Sequence, residues 1–128
     1  MPFSHVISQG IQRGSDSVSK SYTKTGDTEN NIDVDLVSTT QPTEVTYTLT
    51  ASMLASIFMN AAYQVEMRTN STGSPGNTLT HKSDKPTVWT SDMGYTNPFT
   101  TNVTKLYFYN TSGTTANFKL YSLADGTP

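Results

Sequence analysis

Asn-Val-Thr-Lys-Leu-Tyr-Phe-Tyr-Asn (102–110), Thr-Ser-Gly-Thr-Thr (111–115) and Ala-Asn-Phe-Lys-Leu-Tyr-Ser-Leu (116–123) make up the stretch that decides the fold. Two runs rich in β-branched and aromatic residues flank a polar link carrying Gly113, which predicts an antiparallel hairpin. Side chains alternate along a strand. On the first arm Val103, Lys105, Tyr107 and Tyr109 therefore share one side, and Leu106 and Phe108 the other. On the second arm Phe118 and Leu120 alternate with Lys119 and Tyr121. A lone hairpin is marginal in water, so further strands must cover the apolar side.

The rest of the chain supplies them. Val18, Lys20, Tyr22 and Lys24 alternate with Ser and Thr up to the turn signal Gly26-Asp27. Ile32, Val34 and Leu36 alternate with Asp33 and Asp35, a strand with its acids facing out. After Gln41-Pro42, Val45, Tyr47 and Leu49 alternate with threonines. Ala51 to Ala62 fits either a short helix or a turn followed by a buried strand around Ile57 to Met59; the β surroundings favour the turn, with at most one helical loop. Val65, Met67 and Thr69 alternate with Glu66 and Arg68. Residues 71–77 form a loop by composition. Short strands follow at Leu79 and at Thr87-Val88-Trp89, then a surface loop over 90–101. About eight short strands joined by turn signals predict an all-β, antiparallel two-sheet β-sandwich, jelly-roll-like. Residues 1–14 hold Phe3, Val6, Ile7 and Ile11 with no clear period. They form either a loosely draped terminus or an N-terminal arm that docks on a neighbouring subunit. Residues 15–128 are expected to be a single β-sandwich domain.

Composition excludes several classes. A chain of 128 residues is most simply one domain. With no cysteine it has no disulfide or thiolate chemistry. The formal charge is −2, charged residues are 14% and no basic run exists, so no nucleic-acid partner is expected. No apolar run approaches the roughly 18 residues that span a bilayer, so no membrane partner is expected. The opening Met-Pro-Phe-Ser-His-Val-Ile lacks the features of a secretory leader. Ser and Thr exceed a quarter of the residues, which suits a strand surface covered in hydroxyls.

Candidates for chemistry are sparse. His5 and His81 lie far apart, and both read as surface histidines. Asp33 and Asp35, with Glu29 and Asp27 nearby, could hold a calcium ion, but acids on a wet strand face are common. No metal-ligand cluster, nucleophile motif or phosphate-cradling loop is present, so neither a cofactor nor an enzyme activity is expected. Asn70, Asn102 and Asn110 begin glycan-acceptor triplets that a Ser/Thr-rich chain produces by chance. Trp89, Tyr95 and Phe99 surround one loop and form either a sugar-binding platform or, for Trp89 and the phenylalanines, part of the core. Tyr107 and Tyr109 suit a face covered by another subunit.

The order of motifs carries a resemblance. Arg68-Thr69-Asn70-Ser71 is followed by Ser-Pro-Gly-Asn-Thr-Leu (74–79), Lys85-Pro86-Thr87-Val88-Trp89, Pro98-Phe99 and Val103-Thr104-Lys105-Leu106-Tyr107. Asn110-Thr111-Ser112-Gly113 and Leu120-Tyr121-Ser122-Leu123-Ala124-Asp125-Gly126 close it. Over about residues 15–126 this resembles small virion proteins of tailed bacteriophages. The resemblance implies a cement or decoration protein on the outside of the capsid, made in the host cytoplasm. It implies the major capsid protein as partner, a homo-oligomer (often a trimer) and no catalytic residues. Phe3, Val6, Ile7, Ile11, Tyr107 and Tyr109 are then the expected contacts with the capsid or a neighbouring subunit. The alternative is a carbohydrate-binding module of a phage fibre or virion surface, using Trp89, Tyr95 and Phe99.

Overall fold

The computed structural model describes residues 3–125. Met1 and Pro2 of the expected arm, and Gly126 to Pro128 of the expected domain, lie outside the described residues. The described chain is almost wholly β: β1 Phe3–Arg13, β2 Asp16–Gly26, β3 Thr28–Leu36, β4 Thr43–Leu49, β5 Leu54–Ala61, β6 Val65–Thr69, β7 Thr78–His81, β8 Thr87–Thr90, β9 Val103–Tyr109 and β10 Ala116–Ala124. One 3-10 turn, Ala51–Met53, precedes β5, so the ambiguous segment is a turn and then a buried strand.

Strands β3 to β10 form two four-stranded sheets, ordered β3-β10-β5-β8 and β4-β9-β6-β7. The order follows one rule: β3 lies beside β10, β4 beside β9, β5 beside β8 and β6 beside β7, all antiparallel. This is one long hairpin, tipped by the loop between β6 and β7 and rolled into two layers, the winding of a jelly roll. The β10–β5 and β9–β6 pairings close the roll.

This topology corrects the expected terminal hairpin. β9 and β10 do not pair with each other; they lie in opposite sheets. The reason is burial. Each carries an apolar stripe, and opposite sheets let the stripes face each other, with the rings of Phe108 and Phe118 4.8 Å apart at 52°. Leu36, Ile57, Met59, Met67, Leu106 and Leu120 fill the space around them, all 0% exposed. The link through 111–115 is therefore a corner between layers. Asn110 braces it, donating from Nδ2 to the Leu36 and Thr114 carbonyls and accepting from Ser112 on Oδ1.

Val103 also departs from simple alternation. It points inward, although Lys105, Tyr107 and Tyr109 point outward. Asn70, with φ at 70°, intrudes on β9 there. Its side chain accepts from the Thr104 amide and donates to the Asn102 carbonyl. The β4–β9 register shifts at the same place, and the irregularity turns Val103 into the core.

Residues 15–26 do not enter the sandwich. Ser15 lies in a turn and residues 16–26 form β2, which pairs along its whole length with β1 as a separate two-stranded arm. Gly14, with φ at 59°, takes the first central position of the two-residue turn, where a type II′ hairpin calls for glycine.

Candidate functional site

The arm is fixed to the sandwich at its root. A Cβ on Gly26 would sit 2.5 Å from the Ala124 carbonyl oxygen, so only glycine lets the chain pass this close to the end of β10. The Asp27 amide then donates to the same carbonyl. Lys24 pairs with Asp92 at 3.2 Å. The root covers one end of the sheet that contains β10, so Ser56, Thr90 and Leu123 are fully buried there.

His5 is the centre of this anchor, contrary to its expected place as a free surface residue. Its Nε2 lies 3.1 Å from Glu29 Oε1 and its Nδ1 3.1 Å from Ser56 Oγ. A carboxylate only accepts, so Nε2 carries the proton, and in the neutral ring Nδ1 accepts the Ser56 hydroxyl. The hydrogen bond from His5, joined by one from Asn31, holds the Glu29 carboxyl below its ordinary range. Serine, imidazole and carboxylate in line resemble a hydrolase triad in composition. The serine is 0% exposed beneath the arm, however, and a nucleophile must reach its substrate. The trio therefore acts as a clamp between the arm and two strands of the sheet. A clamp of residues 5, 29 and 56 is not a sequence-local pattern; only the pairing of β10 with both β3 and β5 assembles it.

Beyond the root the arm has two unlike sides. Ser4, Ser8, Ser17, Ser19, Ser21, Thr23 and Thr25 dominate one, with Val6 and Gly10 among them. The other carries the pairs His5–Lys24, Ile7–Tyr22, Gln9–Lys20, Ile11–Val18 and Arg13–Asp16. Ile7 and Tyr22 are half-buried near the sandwich, whereas Ile11 is 73% and Val18 71% exposed. Eleven residues per strand give an arm about 37 Å long. Its distal half carries a cross-strand apolar pair that touches no other part of the sandwich's core.

A groove of about 380 Å³ runs where the arm meets the sheet, lined by Val6, Ile7, Glu29, Phe58 and Tyr121 among others. Phe58 and Tyr121 stack in its floor, 6.3 Å apart and 18° from parallel. Of the expected contact residues, Phe3, Val6, Ile7 and Ile11 thus belong to one arm, Phe3 at 42% and Val6 at 64% exposure.

Tyr107 and Tyr109 lie elsewhere, on the outer face of the β4-β9-β6-β7 sheet, and both are half-buried by their neighbours. The Arg68 guanidinium lies over the Tyr109 ring at 4.5 Å and binds Glu66 and the Thr72 carbonyl. Lys105 pairs with Glu44 at 2.8 Å, and Tyr107 donates to the same carboxylate. The hydrogen bond from Lys105 lowers the Glu44 pKa, and its counterpart raises that of Lys105.

The aromatic loop does not assemble a platform. Trp89 is 8% and Phe99 1% exposed; both are core, because β8 turns Trp89 inward and its Nε1 donates to the Tyr95 carbonyl. Tyr95 alone stays outside, 71% exposed. Asp33 and Asp35 face out but are engaged by Lys119 and Asn117. Among the described residues no group of three or more His, Cys, Asp or Glu converges on a metal-sized space.

His81 corrects a second surface expectation. At the end of β7 it is 2% exposed, its ring 5.2 Å from that of Phe118. Burial pushes its pKa down to about 4. Neither ring nitrogen has a hydrogen-bond partner among the described residues. The three glycan-triplet asparagines proved to be braces: Asn70 and Asn110 as above, and Asn102 accepting from the Ala51 amide. No family model, no curated protein and no solved structure matches this chain.

Proposed function

We propose that the protein is a non-enzymatic structural protein of a bacteriophage virion. It is a cement or decoration protein that sits on the outside of the head and ties neighbouring capsomers together. One observation carries this reading: a closed jelly roll holds out a long arm whose tip presents uncovered Ile11 and Val18. Exposed apolar side chains on a projecting hairpin support a contact surface rather than a reaction site. Jelly rolls serve as capsid and lectin domains, so the architecture suits the role by analogy. The titratable groups that would matter for chemistry are committed to the fold, His5 to the clamp and His81 to the core.

In this reading the partner is the major capsid protein, and the protein acts as a homo-oligomer, a trimer by the resemblance. Several arms acting together raise the affinity of contacts that are weak one by one. The test is co-sedimentation with assembled heads of the source phage. The wild-type chain is expected to pellet with them, and Ile11→Asp/Val18→Asp to stay in the supernatant. Equal pelleting of both proteins would remove the arm from the contact. No pelleting of either would overturn the function.

A further inference from the structure

His81 lies where a histidine has nothing to hold. It is 2% exposed against the Phe118 ring, and neither ring nitrogen has a hydrogen-bond partner among the described residues. The charged groups on the elements around it all point away. Val65 lies directly across on β6, where Glu66 and Arg68 face outward and bind each other. Lys119 of β10 and Asp33 and Asp35 of β3 face outward to one another and to Asn117. Lys105 of β9 faces Glu44 of β4. β5 and β8 carry no charged residue. Lys82, Asp84 and Lys85 follow in an exposed turn. A protonated ring would sit unpaired in the core, and burying an unpaired charge is costly.

The strand that carries His81 is lightly held. β7 has four residues, lies at the edge of its sheet and bonds only to β6. Besides His81, only Leu79 packs on the core from this strand, and only in part. β8, the other four-residue edge strand, keeps Trp89 inside. Both flanks of β7 are tied down. Before it, the Asn77 amide donates to Thr69 Oγ1, and its side chain exchanges bonds with Thr100. After it, Ser83 Oγ donates to the Ala62 carbonyl and the Asp84 amide to the Ala61 carbonyl.

We propose that residues 78–82 are an acid-opened flap: when His81 takes a proton, this segment leaves the sheet while the anchors on either side hold the rest of the roll. Once lifted, the ring is hydrated and binds a proton at the ordinary histidine pKa of about 6.5. In the closed strand burial holds that pKa down to about 4. The open form therefore binds the proton first, so opening is rarest above about pH 6.5 and grows as pH falls towards 4. From pH 7 to pH 5 the open fraction rises about twenty-fold. Opening bares the edge of β6 and one side of the Phe118 ring, and it reverses on neutralisation. By register the flap lies at the end of the roll opposite the arm root, so the device does not depend on which surface the arm meets.

Amide exchange of the full chain at pH 7 and pH 5, corrected for intrinsic rates and repeated in low urea, tests it. Amides of residues 78–81 are expected to exchange faster than those of β9 at both pH values. Their protection is expected to fall about twenty-fold at pH 5 and to depend little on urea, because a local opening exposes little surface. His81→Leu and His81→Gln cannot titrate, and each is expected to show the same flap protection at both pH values. Wild-type flap amides unchanged between the two pH values would overturn the inference. So would flap amides that exchange in step with β9 and respond as steeply to urea, which would make the opening global. Variants that keep the pH dependence would overturn it as well.

Discussion

The two outer faces of the sandwich meet water in different ways. On the β4-β9-β6-β7 sheet every long side chain finds a partner within the face: Arg68 with Glu66 and Tyr109, Lys105 with Glu44, Tyr107 with Glu44. On the β3-β10-β5-β8 sheet one end is covered by the arm root, the next row is an open groove, and the arm continues into solvent with an apolar tip. The first face is complete as it stands. The second leaves apolar side chains uncovered. The lesson is that an aromatic-rich strand need not be the contact surface. Tyr107 and Tyr109 looked adhesive in sequence, but the Tyr107 hydroxyl is held by Glu44 and the Arg68 guanidinium covers the Tyr109 ring.

The largest lever acts beneath both faces at once. His81 has its folded pKa lowered to about 4 from 6.5. The unfolded chain therefore binds the proton first as pH falls. Stability is whole above about pH 6.5 and is lost progressively down to about pH 4, by roughly 3 kcal/mol across that window. The lowered carboxylates Glu29, Asp33 and Glu44 act in the same direction only at lower pH, near their own titration. Urea melts of wild type and His81→Leu at pH 7 and pH 5 separate the two. The leucine variant is expected to be at least as stable at pH 7, where it removes an unsatisfied buried group, and to lose little on going to pH 5. A wild type equally stable at both values would contradict this.

Next comes Gly26→Ala, which drives a methyl group into the Ala124 carbonyl. A loss of about 1–3 kcal/mol is expected. The loss should concentrate in the arm and in Leu123 beneath it, read as faster amide exchange there with β6 and β9 unchanged. Smaller still is Arg68→Ala on the completed face. It removes one cation–π contact and one ion pair, about 1 kcal/mol together, with no change in oligomeric state or head binding. The smallest effect on stability belongs to Ile11→Asp/Val18→Asp, within about 0.5 kcal/mol because both positions are exposed. A large destabilisation from that pair would mean the tip packs on its own chain.

The class of fold was legible because alternation survives in most sandwich strands, and because turn residues separate them. The pairing was not. Phe108 and Phe118 show that two alternating runs joined by a short glycine-bearing link can face each other across a sandwich as readily as lie side by side. Burial of both apolar stripes decides between them, and Asn110 braces the resulting corner with a bond to Leu36, far away in sequence. The arm was half legible. Its apolar residues stood out, but β1 shows no period because only its root has a buried side. Val6 and Ile7 are adjacent and so occupy opposite faces. His5 and His81 were misplaced for one shared reason. A histidine's surroundings are set by strands remote in sequence, Ser56 and Glu29 for the first and Phe118 for the second.

Amide hydrogen exchange on the native protein compares the two faces most directly. In dilute solution, residues 8–21 of the arm are expected to exchange far faster than β6 and β9. The same amides are expected to become protected when the protein is concentrated or seated on heads, while β6 and β9 stay as they were. Arm amides already as slow as β9 in dilute solution, or unchanged by any association, would contradict the account.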